Sequence, residues 1–141
     1  MTAKEYLQEI RKLDLYINQK QTEFDTLYKL RGGAGGIDYA QERVQTSSDG
    51  QGFTKISDVL IDLQKEINAQ IDRFCKIRNE RIDQIQQMDK PEHMDILFRR
   101  YVQYESFERI SYDMDYSYKS ACNLHGAALT EFFDKFLKDV D

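Results

Sequence analysis

The sequence predicts an all-α chain: a long antiparallel helical hairpin, coiled-coil-like, followed by a small C-terminal helix-turn-helix domain. Apolar residues recur at heptad spacing along two stretches of about thirty residues each, as paired helices require. One proline, Pro91, interrupts the chain, and after it the repeats shorten abruptly. A single proline, no tryptophan and 32% charged residues suit long, solvent-rich helices with a thin core, for which nine Tyr and eight Phe supply bulk.

The first helix is expected from about Thr2 to Arg31, with Tyr6, Ile10, Leu13, Ile17, Phe24 and Leu27 on one seam and Lys20 in the skipped position. Thirty helical residues reach roughly 45 Å. RGGAGG, Arg31 to Gly36, supplies the glycine of a C-cap and then stops the helix, and the polar stretch through SSDGQG makes 32–53 a connector. A second long helix is expected from about Lys55 to Met88. Its seam runs through Ile56, Leu60, Leu63, Ile67, Phe74, Ile77, Ile85 and Met88, widened by Ile71 and Ile82. Stripes this narrow stay helical by pairing. An antiparallel hairpin over 1–90 that meets a second copy of the chain follows, with Ile10, Leu13, Ile17, Phe24, Leu60, Leu63, Ile67 and Phe74 as self-association residues.

The domain 91–141 reads differently. Pro91 suits a first helical turn, opening a helix of about 91–103. Ser106 caps a short helix through Asp113, a turn at Met114-Asp115-Tyr116 follows, and Ser117 caps the last helix, which continues through EFFDKFLKDV. Helix, short helix, turn and helix make up the helix-turn-helix layout.

Charge limits what that layout is able to do. The formal net charge is −5, and residues 91–141 carry six positive and ten negative groups. Within 97–129, however, Arg99, Arg100, Arg109 and Lys119 balance Glu105, Glu108, Asp113 and Asp115. Phosphate contacts supply most nucleic-acid affinity, so a reader this poor in cations binds weakly unless doubled or assisted.

LFRRYVQYESFERISYDMDYSYKSACNLHGAAL, with Arg100-Tyr101, Ser106-Phe107, Ile110-Ser111, Met114-Asp115, Ser117 and Ala128-Leu129, resembles region 4 of bacterial sigma factors. The whole chain, with TAKEYLQEIRKLD and ERVQTS, is similar to a family of small phage and prophage proteins of Gram-positive bacteria near the ArpU and RinA type of late-gene regulators. The resemblance implies a transcriptional regulator that binds double-stranded promoter or operator DNA in a bacterial host cell, with RNA polymerase a candidate partner. The homodimer is expected from the narrow helical stripes and the cytoplasm from the cysteine usage. The base-reading positions fall on Tyr118, Lys119, Cys122 and Asn123. Lys donates to guanine and Asn pairs with adenine, while Ser117, Ser120, Arg99 and Arg100 would meet phosphates. Three positions depart from the family pattern: Asp115 stands where the turn usually has Gly, Ala121 where Val is usual, and Ser111 where Ala is usual.

Plainer readings stand beside these. Lys119 and Asn123 also suit an ordinary solvated helix face, and Arg100 beside Tyr101 also suits a structural brace. An acidic module binding a host protein such as polymerase or a defence nuclease, through the Tyr-rich face 112–118 and the tail Asp134 to Asp141, is the rival function.

No enzyme is expected, and no cofactor or metal. His93 and His125 lack ligand spacing with Cys75 and Cys122, and His125 reads as a packed histidine. RGGAGG lacks the Lys-Ser/Thr of a phosphate loop. Two separate cysteines fit a reducing compartment, and no apolar run is long enough to span a membrane.

Overall fold

The computed structural model describes residues 1–32 and 51–139, of which 51–54 by backbone alone; the connector expected at 32–53 therefore lies, beyond Gly32, largely outside the described residues. Those residues form five helices and no strand: α1 Ala3–Leu30, α2 Gln51–Gln86, α3 Pro91–Leu97, α4 Phe107–Met114 and α5 Tyr118–Phe132. Two of them extend as π-helical turns, α3 through Phe98–Val102 and α5 through Phe133–Leu137.

Local chemistry sets the boundaries. The Thr2 hydroxyl accepts from the Glu5 amide at 3.1 Å and the Glu5 carboxylate accepts from the Thr2 amide at 3.1 Å, so a capping box opens α1. Pro91 occupies the first turn of α3, where its missing N–H costs nothing. Ser106 and Ser117 cap α4 and α5 by accepting from the amides of Arg109 and Ser120 at 3.2 and 3.0 Å. The π turns close with Gln103 N–H donating to the Phe98 carbonyl at 3.1 Å and Lys138 N–H to that of Phe133 at 2.9 Å.

The chain divides into two compact units, Met1–Leu13 with Phe74–Asp141, and Asp14–Arg73. In the first, both long helices contribute their ends to the core of the short ones. Leu7 and Ile10 of α1, Ile85 of α2, Ile96 and Leu97 of α3, Ile110 of α4, and Ala128 and Phe132 of α5 are fully buried in one cluster. Leu7 lies off the heptad seam. It is buried because the first turns of α1 face more than one neighbour, which widens the apolar stripe beyond a two-helix seam.

A polar cluster supports this core. The Arg81 guanidinium is buried, lies 3.6 Å from the Tyr6 ring centroid, and pairs with Glu9 at 3.3 Å and Glu80 at 2.9 Å. The Tyr6 hydroxyl reaches Glu80 at 3.0 Å and Gln84 at 2.8 Å. These contacts fix α1 antiparallel to α2 within the unit. Buried His93 meets Glu131 at 2.8 Å through Nδ1; the carboxylate only accepts, so Nδ1 carries the proton. The other Glu131 oxygen accepts from the Asp89 amide at 3.1 Å, and Lys135 bonds the Gln87 carbonyl, tying the α2–α3 link to α5.

In Asp14–Arg73 the seam residues Leu60, Leu63 and Ile67 are buried and Ile17 and Phe24 half-buried, and in the first unit Leu13 and Phe74 are half-buried, all within one chain. Lys20, polar in an apolar seam, is explained by its partners: its ammonium pairs with Glu23 at 3.3 Å and lies 3.9 Å from Glu66, which also accepts from Tyr16 at 2.6 Å. Its ammonium thus stays paired and lies 5.7 Å from the Tyr16 ring centroid.

Candidate nucleic-acid interface

The turn between α4 and α5 decides where the last helix points. Tyr116 N–H donates to the Ser111 carbonyl at 2.9 Å and Asp115 N–H to that of Tyr112 at 3.3 Å, the pair of bonds of a Schellman motif. That motif needs a left-handed residue, and Asp115 takes it at φ 60°, ψ 42°. Aspartate is tolerated there at some cost, whereas glycine carries none. Asp115→Gly is therefore expected to raise stability by about 0.5–1 kcal/mol in urea unfolding, less the entropy glycine adds to the unfolded chain.

The other two departures from the sigma-like pattern are also accommodated. Ala121 is fully buried, its small side chain allowing close approach of α5. Ser111 is half-buried and its hydroxyl donates to the Glu108 carbonyl at 2.8 Å, which satisfies it locally.

On α5, Tyr118, Lys119, Ser120 and Asn123 are exposed, and Cys122 is half-buried. Lys119 and Asn123 are one helical turn apart and share a face. Ser117 and Ser120 are spent on the cap, the Ser117 hydroxyl donating to that of Ser120 at 2.9 Å. The positive helix end remains at the surface there. The face continues beyond Asn123 through exposed Gly126, Ala127 and Thr130, and a Cβ placed on Gly126 would meet nothing within 4 Å. These three were not among the sequence candidates, although counting three and four residues on from Asn123 reaches them.

Arg99 and Arg100 behave otherwise. The Arg99 guanidinium contacts Asp95 at 3.1 Å, Glu105 at 3.4 Å and Asp113 at 3.3 Å. Arg100 donates to the Glu105 carbonyl at 2.9 Å and stacks 4.4 Å from the Phe107 ring centroid. Both are half-buried braces of the α3–α4 corner, whereas Lys119 and Asn123 point to solvent. The reason is tertiary: only Asp95 is a helical neighbour, and Glu105 and Asp113 arrive through the π turn and the packing of α4.

Behind the exposed face lies a packed imidazole. His125 Nε2 and the Tyr101 hydroxyl share a hydrogen bond of 2.7 Å, and the Phe107 ring meets His125 edge-on at 4.9 Å. Burial, then the nearby charges of Arg100 and Lys4, lower the His125 pKa to about 4, and burial raises the Tyr101 hydroxyl to about 12. For His125 the unfolded chain binds the proton first, near pH 6.5, and the folded chain only near 4. Its contribution to stability is thus complete above pH 6.5 and lost as pH falls toward 4. Thermal unfolding of His125→Gln is expected to show a shallower decline over that window than the parent chain.

Among the described residues no group of three or more His, Cys, Asp or Glu is placed to hold a metal ion, and no helix is long and apolar enough to cross a membrane. Comparisons with protein-family models, curated proteins and solved structures find no match.

Proposed function

We propose that this chain is a phage-type transcriptional regulator that lays the N-terminal half of α5 in the major groove of promoter DNA. The observation that carries the reading is the joint exposure of Lys119 and Asn123 on one face of a capped helix that follows a tight left-handed turn. Lys119 would donate to guanine and Asn123 would pair with adenine, with Tyr118 beside them. Cys122, half-buried, adds little, and the two serines act through the helix cap.

Because Arg99 and Arg100 are held by internal partners, few cations remain for phosphates. A single head therefore binds weakly, with log Kobs falling against log salt at a slope of only about −2. A homodimer would double that. The exposed apolar side chains left for a second copy in Asp14–Arg73 include Leu15, Val59, Ile61 and Ile71. The test is a gel shift on DNA selected from phage genomic fragments, comparing the parent chain with Lys119→Ala/Asn123→Ala.

A second reading, a protein-interaction module, is favoured by one observation: among the described residues after Pro91, the exposed large hydrophobic side chains are the tyrosines at the α4–α5 turn. Asp115→Gly separates the two functions. Removing a carboxylate beside the reading helix should strengthen DNA binding, and should weaken binding to a basic protein partner.

A further inference from the structure

Three tyrosines stand exposed within seven residues: Tyr112 at 82%, Tyr116 at 41% and Tyr118 at 53%. Amphipathic rings of this size usually turn at least one face inward, and Tyr112 does not. The local fold groups them. The Schellman bond from Tyr116 to Ser111 folds the turn back against the end of α4, and Tyr118 meets the Phe107 ring edge-on at 6.4 Å. Glu108 lies one helical turn before Tyr112 on the same face of α4, and it also acts on Tyr118, whose phenol is held above its usual pKa by Cys122 and then by Glu108.

The patch carries charge of one sign. Glu108 and Asp115 are exposed and make no ion pair among the described residues. Most cations around it are committed: Arg99 to Asp95, Glu105 and Asp113, Arg109 to Asp113 at 2.9 Å, and Arg100 to the Glu105 carbonyl and the Phe107 ring. Lys119, next to Tyr118, belongs to the exposed α5 face. Aromatic faces attract guanidinium groups, and adjacent carboxylates complete their hydrogen bonding. The same head already shows this pairing internally, where Arg100 stacks on Phe107.

We infer that Tyr112, Tyr116 and Tyr118, with Glu108 and Asp115, form a docking surface for an arginine-rich segment of a partner protein. Such a segment would also bring beside α5 the positive charge that Arg99 and Arg100 do not offer. The surface adjoins the reading face and shares Tyr118 with it, but Lys119 and Asn123 lie outside it. Variants at those two residues therefore test the DNA reading, and variants at Tyr112 and Asp115 test this surface.

The test is titration of the full chain into fluorescein-labelled octa-arginine, followed by anisotropy. The parent chain should bind saturably, and Tyr112→Ser/Asp115→Asn should weaken binding at least about fivefold, since asparagine keeps the left-handed turn while losing the charge. Tyr112→Phe should retain affinity, and octa-lysine should bind more weakly than octa-arginine. Asp58→Asn/Asp62→Asn removes two exposed carboxylates elsewhere and should change affinity by less than about twofold. Lys119→Ala/Asn123→Ala should leave peptide binding intact. Absence of saturable binding, or equal weakening in the patch and control variants, overturns the proposal. So does loss of DNA binding, with peptide binding unchanged, in Tyr112→Ser/Asp115→Asn, because the tyrosines would then belong to the nucleic-acid face.

Discussion

Phe132→Ala is expected to lower the unfolding free energy of the Met1–Leu13 with Phe74–Asp141 unit by about 3–5 kcal/mol. Phe132 is fully buried and is the largest such side chain in the described chain. Its ring lies 5.8 Å from that of Tyr6 and 4.9 Å from that of Phe136, so it joins the start of α1 to the last turns of α5. Tyr6 in turn lies under Arg81, and truncation would loosen the buried guanidinium as well as leave a cavity. Small domains hold about 5–15 kcal/mol in all, so this one change consumes a large share. Urea unfolding measures it, and a loss below about 1 kcal/mol would show that the ends of the long helices are not part of the helix-turn-helix core. Phe132→Leu, which keeps most of the volume, should cost far less.

The second large effect is on recognition. Each well-made base contact contributes about 1–3 kcal/mol of discrimination, so Lys119→Ala/Asn123→Ala should weaken specific binding at least about thirtyfold. Both side chains are exposed and neither supports the core, so the variant should unfold at the same urea concentration as the parent. Non-specific binding should fall much less, because only one charge is removed. That asymmetry distinguishes a reading helix from a helix that merely contributes charge.

The helices themselves were legible because their signals are local. Ser106 and Ser117 act through amides three residues on, Pro91 through its own ring, and Asp115 through its tolerance of positive φ. The reading positions Lys119 and Asn123 came from the resemblance counted from the Ser117 cap, and both are exposed, whereas Ala121 and Ala128 of the same helix face the core. What escaped was set by tertiary neighbours. Arg99 looks like a phosphate contact from its charge, yet Glu105 and Asp113, brought in by packing, engage it, and although Arg100 beside Tyr101 already suited a brace, its actual partner is the Phe107 ring. The π turns at Phe98–Val102 and Phe133–Leu137 each shift the helical phase by a residue with no proline or glycine to announce them. Tyr104, at φ 60°, follows the first of these turns with no sequence signal of its own. Leu7 belonged to no heptad seam, because a seam describes one partner helix and Leu7 lies in a core with several.

The central claim is that α5 reads base edges through Lys119 and Asn123. Its most direct measurement is selection from a random duplex library at low salt, run in parallel with the parent chain and Lys119→Ala/Asn123→Ala. An enriched motif containing guanine and adenine at adjacent positions, present with the parent and absent with the variant, is the predicted result. Enrichment of the same motif by both proteins, or of none by the parent, would contradict it.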